Sequence, residues 1–215
     1  MQAIIPAAGL GTRMLPFSAV AAKELAPIGT RPMIQWTLAE AAALGIESAI
    51  VVISPEKTQL KRFLEGDINP AYFGIDAVDE WMALREHLSI TIALQPKPRG
   101  LGDALLRGWQ AGDSDACYLM YPDNIVLFPE QVYRSVLAPF EKHGYAVVAC
   151  KENRPYYTGN HFVYLGDDVG DAFRVERVTM RDDPPPKKKD RCHRAAGRVM
   201  VSREYFDALE LIAAD

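Results

Sequence analysis

Short apolar runs alternate with longer amphipathic stretches along the first two thirds of the chain. Residues 2–7 (QAIIPA) are apolar almost throughout, which predicts a strand buried on both faces. Ser48–Ile53 (SAIVVI) reads as a second buried strand, and 90–94, 116–121 (ACYLMY) and 146–150 as three further strands. Between them the apolar positions recur at helical spacing. Ile34, Leu38, Ala41 and Ala42 share one face of a helix predicted over 32–44, with Gly45 to end it. Leu60, Phe63 and Leu64 do the same over 56–65. Further helices are predicted over Leu101–Gln110 and over 129–142, where Pro129 suits a first turn and Val132, Val136 and Phe140 line one side. Such alternation predicts parallel strands joined by right-handed crossovers: a three-layer, Rossmann-like α/β fold with helices on both faces of a mostly parallel sheet. Sheets of this kind bind ligands outside the carboxyl ends of their strands. The loops 8–16, 95–100 and 122–124 all fall at such ends.

Two regions break the pattern. Residues 66–89 form an insertion, within which Asp76–His87 has the makings of a helix. Beyond residue 151 the alternation gives way to short strands over 161–165, 173–180 and 196–201, then a closing helix over 203–213. Residues 181–194, with Pro184-Pro185-Pro186-Lys187-Lys188-Lys189, are expected to form a mobile loop whose lysines are solvated. No internal repeat and no linker divides the chain, so one domain over 1–215 is expected.

Composition narrows the function. A chain of 215 residues with 49% hydrophobic content has room for a substantial core. A formal net charge of -4 argues against an extended nucleic-acid surface. Cys117, Cys150 and Cys192 are odd in number and lack metal-ligand spacing, which fits reduced thiols in a cytoplasmic protein. No apolar run is long enough to cross a bilayer, and the opening residues carry neither a charged leader nor a cleavable apolar segment, so no membrane association is expected. Homo-oligomerisation is left open.

The chemistry gathers at the three loops. Ala7-Ala8-Gly9-Leu10-Gly11-Thr12-Arg13 follows the first strand directly. Gly9 and Gly11 let the backbone of Ala8–Thr12 approach a phosphate, and free N–H groups can point at its oxygens. Arg13 adds a charge-assisted contact, and Lys23 a compact cation for an α-phosphate on which charge develops. A dinucleotide fingerprint would need a third glycine at Met14, and a P-loop would need Gly-Lys-Ser/Thr; neither is present. In the second loop Gln95 offers an amide donor and acceptor to the edge of uracil or thymine, and Gly100 lets a base lie flat. In the third, Asp123 closes a strand as a lone carboxylate suited to Mg²⁺ beside a triphosphate. Asp103 reads as a first-turn helix acid. His161 and His193 lack partners at metal-ligand spacing and are expected to be structural, and Trp36 and Trp109 to be packing residues.

Gly9-Leu10-Gly11-Thr12-Arg13-Met14-Leu15-Pro16, followed by Lys23-Glu24-Leu25-Ala26-Pro27, resembles the signature of the sugar-1-phosphate nucleotidyltransferases, above all the UTP–glucose-1-phosphate uridylyltransferase branch. The chain departs at Ala22, where a proline is usual, and at Ala19, where that branch often has lysine. Gln95 and Gly100 match positions that contact the pyrimidine in related enzymes, and Asp123 matches the family's Mg²⁺ ligand. The wording around Gln95 is nearer the thymidylyltransferases, whereas the insertion is nearer the uridylyltransferases, so UTP is expected first and dTTP second. The resemblance implies a nucleotide-binding half over 1–150 and a shortened sugar-binding half over 151–215. It implies in-line transfer from a pyrimidine triphosphate to a sugar 1-phosphate with release of pyrophosphate, Arg13, Lys23 and Asp123 being the catalytic set.

The sugar half matches less well. Tyr157-Thr158-Gly159 and Arg181 loosely fit the family's sugar contacts, giving Gly159 and Arg181 as candidates. Gly197-Arg198 fits the next strand, and Tyr205-Phe206 the helix after it. A second metal Asp is not found. Three readings follow: a shortened chain, a compact enzyme that uses Asp182 or Asp183, or a nucleotide- or nucleotide-sugar-binding regulatory protein without catalysis. A Rossmann oxidoreductase ranks below these on glycine spacing.

Overall fold

The computed structural model describes residues 1–153, 163–170, 172–179 and 192–214. The chain begins with β1 (Gln2–Pro6), then a small hairpin of β2 (Pro27–Ile28) and β3 (Arg31–Pro32) leads into α1 (Met33–Ala43). Next come β4 (Ser48–Ile53), α2 (Thr58–Glu65), α3 (Asp76–His87) and β5 (Ser89–Leu94). They are followed by α4 (Leu101–Gln110), β6 (Ala116–Met120), α5 (Pro129–His143) and β7 (Val147–Asn153). Three antiparallel strands, β8 (Tyr164–Asp168), β9 (Phe173–Val178) and β10 (Cys192–Ser202), precede the last helix, α6 (Arg203–Ala214).

The large sheet runs β5-β4-β1-β6-β10-β8-β9, with β7 paired to β10 alone. Its first four strands are parallel, as their continuous apolar runs require. Both faces are covered. Ala3 and Ile5 of β1 point into one cluster with Leu38 of α1, Leu60 of α2, Trp81 of α3 and Val136 of α5. Ile4, between them, points into the other with Leu105 of α4 and Phe206 of α6. Trp81 stacks on Phe63 at 4.3 Å between centroids, and Trp109 on Phe206 at 4.2 Å. Trp36 donates its Nε1–H to the Ile28 carbonyl at 3.0 Å.

Several details differ from the sequence pattern. The strand after α5 does not join β6; β10 returns antiparallel between them, so β6 and β7 each pair with β10. Helical crossovers explain the parallel half, but nothing local to residues 146–150 tells which neighbour they will meet. Residues 192–194, expected in the mobile loop, belong to β10. Strand β8 begins at Tyr164, later than the run expected from 161. In α1, Gln35, Thr37 and Glu40 are buried beside Ile34 and Leu38, so its polar positions do not mark a wet face. Gly159, Arg181, Tyr157, His161, Asp182, Asp183 and Lys187–Lys189 lie outside the described residues.

Candidate active site

The turn after β1 reverses at Gly11, whose φ of +70° is the left-handed conformation that glycine adopts freely. A Cβ there would stand 3.2 Å from Lys23 Cδ and 3.2 Å from Ser18 Cβ, so glycine also makes room for Lys23 against the loop. The Ser18 hydroxyl donates to the Gly11 carbonyl at 2.8 Å. One 3-10 turn, Thr12–Met14, sends Arg13 into solvent. Another, Lys23–Leu25, carries Lys23 back beneath the loop.

Two loops meet there. Lys23 Nζ donates to Asp123 Oδ2 at 3.4 Å, and an Arg13 guanidinium nitrogen stands 3.9 Å from the same oxygen. Asn124 Nδ2 donates to Asp123 Oδ1 at 2.9 Å, fixing the carboxylate plane. Arg13, Lys23 and Asp123 therefore form one cluster, because β6 lies beside β1 in the sheet and both end at the same edge.

Each loop is held from behind by a cation that sequence reasoning had assigned no such part, one of them mostly and the other wholly buried. Lys57 Nζ donates to the carbonyls of Ala7 at 2.6 Å and Gly9 at 2.8 Å. Its third partner is Glu24 Oε2 at 2.7 Å, whose carboxylate is wholly buried. Burial holds the Lys57 ammonium below its ordinary pKa; Glu24 opposes this, and the neighbouring charge of Lys23 adds to it. Arg198, also wholly buried, makes a two-pronged pair with Glu40: Nε to Oε1 at 2.7 Å and Nη2 to Oε2 at 2.5 Å. It also donates to the carbonyls of Tyr121 at 3.1 Å, Gly197 at 2.8 Å and Asn124 at 3.0 Å, bracketing Asp123 on both sides. The available signal was a Glu within the mostly buried stretch of α1; its distant partner could not be named from spacing.

Gln95 sits at the end of β5, two strands from β1, or about 10 Å at ordinary inter-strand spacing. It is buried, and its Nε2 donates to Gly100 O at 3.0 Å and Asp103 Oδ2 at 2.7 Å. Asp103 also accepts from Arg107 Nε at 2.9 Å. The Arg107 hydrogen bond, opposed by burial and helped by the Gln95 hydrogen bond, holds the Asp103 carboxyl below its ordinary pKa. Oε1 remains as the amide's other hydrogen-bonding atom. Neither Gln95 nor Gly100 lines the cavity beside Asp123.

That cavity, about 350 Å³, is walled by Arg13, Tyr121, Asp123, Tyr164, Arg194 and Gly197, among others. Burial raises the phenol pKa of Tyr121 well above its ordinary range and that of Tyr164 in the same direction, keeping both neutral donors. Cys117 is likewise remote from thiolate chemistry, its pKa pushed up to about 11 by burial.

A UTP–glucose-1-phosphate uridylyltransferase of Pseudomonas aeruginosa is 28% identical over 214 residues, covering 96% of this chain and 76% of that protein. One of Mycoplasma genitalium is 25% identical, covering 98% of this chain and 74% of its own. Among solved structures, a UDP-glucose pyrophosphorylase complexed with UDP-glucose superposes with a TM-score of 0.80 at 22% identity, over 96% of this chain and 77% of the other. A UTP-bound UGPase of Acinetobacter baumannii gives a TM-score of 0.80 at 21% identity, over 97% and 76%. At these identities the two structures speak for the fold. The family model described as Nucleotidyl transferase matches residues 2–168, from the start of β1 to the end of β8, and the chain therefore belongs to the nucleotidyl transferase family.

Proposed function

We propose that the protein joins UTP to a sugar 1-phosphate, glucose 1-phosphate first among candidates, and releases pyrophosphate. The observation that carries this reading is the convergence of Arg13 and Lys23 on the Asp123 carboxylate at the mouth of a glycine turn. Two cations and one carboxylate beside free backbone N–H groups suit a phosphorylated ligand better than a nicotinamide or a protein partner.

Backbone N–H groups of residues 9–12 receive phosphate oxygens, and Arg13 holds the part that departs. Lys23 lies where negative charge grows on the α-phosphorus. An oxygen of the sugar phosphate forms the new P–O bond as the α–β bridging bond breaks, and pyrophosphate leaves with that electron pair. No covalent enzyme intermediate is needed; alignment and fixed charge lower the barrier. Asp123 suits Mg²⁺ as a single carboxylate ligand, because Mg²⁺ is commonly held by one or two carboxylates with phosphates and water completing its shell. Among the described residues no group of three His, Cys, Asp or Glu side chains forms a cage without substrate. Bound there, Mg²⁺ supplies neutralisation of the two facing phosphates. At the other end of the nucleotide, Gln95 Oε1 accepts the ring N–H of uracil. The same contact serves thymine, and the uridylyltransferase relatives favour UTP.

The test is pyrophosphate release from UTP, glucose 1-phosphate and Mg²⁺, repeated with dTTP and with other sugar phosphates. Wild type should turn over, with UTP preferred, and Asp123→Ala should be silent. Tight UTP binding with no turnover on any sugar phosphate would instead identify a nucleotide-binding regulatory protein.

A further inference from the structure

Strand β10 runs antiparallel to β6, with Arg198 opposite Met120 and Ser202 opposite Ala116. Residues before Arg198 therefore project past the carboxyl end of β6, the edge where Asp123 lies. Arg194 is on that overhang. It is exposed, and it forms the wall of the cavity together with Arg13, Asp123 and Tyr164. Directly opposite Arg194 on β7 is Lys151. Like charges facing each other across two strands repel, which costs stability unless an anion lies near. Among the described residues no carboxylate pairs with Arg194. Of the described charged side chains that line the cavity, Arg13 and Arg194 are positive and Asp123 alone is negative, with Lys23 just behind it. Such a surplus suits a dianion.

We infer that Arg194 binds the phosphate group of the second substrate, a sugar phosphate monoester, in the cavity it shares with Arg13. The inference rests on the nucleotidyl-transfer reading for which substrate fills the cavity. It stands on the cavity's own geometry for the phosphate. Arg194 would take the monoester while Arg13, 3.9 Å from Asp123, faces the nucleotide as well. Tyr164, neutral and half-buried, adds a hydroxyl and a ring face against which a sugar can rest. The site thus places its acceptor cation on a sheet strand, where an extended backbone holds it more firmly than a loop would.

Calorimetry with glucose 1-phosphate, in the presence of a non-reacting UTP analogue, tests this directly. Arg194→Ala should weaken sugar-phosphate binding by about tenfold or more, the usual loss for a charge-assisted contact, and leave affinity for the UTP analogue within about twofold. Arg194→Lys, which keeps the charge without the planar fork, should recover part of the loss. Inorganic phosphate should compete with glucose 1-phosphate in the wild type and much less in Arg194→Ala. Unchanged glucose 1-phosphate affinity in Arg194→Ala, an equal loss for the UTP analogue, or no sugar-phosphate binding by the wild type would each overturn the assignment. Binding that depends on Arg194 without any pyrophosphate release would leave the phosphate site standing and remove the nucleotidyl-transfer reading instead.

Discussion

Lys57, mostly buried, and Arg198, wholly buried, carry charge in behind the loops, and each does so to hold backbone carbonyls rather than substrate. A carbonyl has two lone pairs, and a loop that must keep its N–H groups free for phosphate cannot satisfy its own carbonyls by folding on itself. The Lys57–Glu24 pair meets that need behind Ala7 and Gly9, and the Arg198–Glu40 pair meets it around Asp123. Removing one cation leaves a buried carboxylate without its main counter-charge, Glu24 keeping only Lys23 at 3.9 Å, and such a loss costs about 3–5 kcal/mol. Lys57→Met and Arg198→Met should each lower Tm on the order of 10 °C for a chain of this size. Lys57→Met/Glu24→Leu should regain much of that stability without regaining UTP affinity, and calorimetry on the double variant decides it. Asp103 makes a pH-dependent contribution. Its folded-state pKa is lowered, so the stabilisation is present above the ordinary carboxylate range and is lost as pH falls through the folded value. Between pH 6 and pH 3, thermal melts of Asp103→Asn should fall less steeply than those of the wild type; parallel curves would deny the carboxylate this part.

Among the elements, β10 does the most to build the site. It departs from regular pairing with β7 between Ala195 and Val199, and Gly197 inside that irregularity has a φ of +73°. A Cβ at Gly197 would stand 2.6 Å from the Asn124 carboxamide carbon, which is the residue that steadies Asp123. The bulge turns Arg198 inward toward Glu40 while the preceding residues reach the cavity, an instance of a bulge re-aiming side chains beside a site. Gly197→Ala should cost about 1–2 kcal/mol in backbone strain alone. Its activity loss should exceed what a melt accounts for, because displacing Asn124 releases the Asp123 carboxylate. Equal kcat in a folded Gly197→Ala protein would show that Asn124 does not set that carboxylate.

The whole molecule is a sheet with one chemical edge. Its core lies in two apolar layers, one under α1, α2, α3 and α5 and the other under α4 and α6. The sheet leaves its carboxyl edge free to carry polar loops, and the strand order brings together loops far apart in the chain. UTP bound across that edge from Gln95 to Arg13 would tie β5, β4 and β1 to β6. At about a hundredfold its Kd, a ligand stabilises the folded state by about 2.7 kcal/mol. UTP should therefore raise Tm on the order of 5–10 °C. Hydrogen-exchange protection should appear in the loops after β1, β5 and β6 together. Protection confined to one loop would argue against a ligand that spans them.

The amino-acid order by itself determined the layered α/β fold, because apolar runs too long for a half-wet strand can be buried only between helices. It also determined the glycine turn with Arg13, since that chemistry is local: a glycine, its neighbours and a strand before them. Which strand β7 would meet was decided only in three dimensions, because a short apolar run fits beside any strand edge it can reach. The pairing of Lys57 with Glu24 and of Arg198 with Glu40 was likewise hidden, since a buried charge finds its partner through packing and not through spacing. Residues 192–194 looked like the tail of a proline- and lysine-rich loop; hydrogen bonding to β7 and β8 made them a strand and set Arg194 beside Asp123. Periodicity reports how each segment is buried. Only the assembled sheet reports what it is buried against, and the site is made of those meetings.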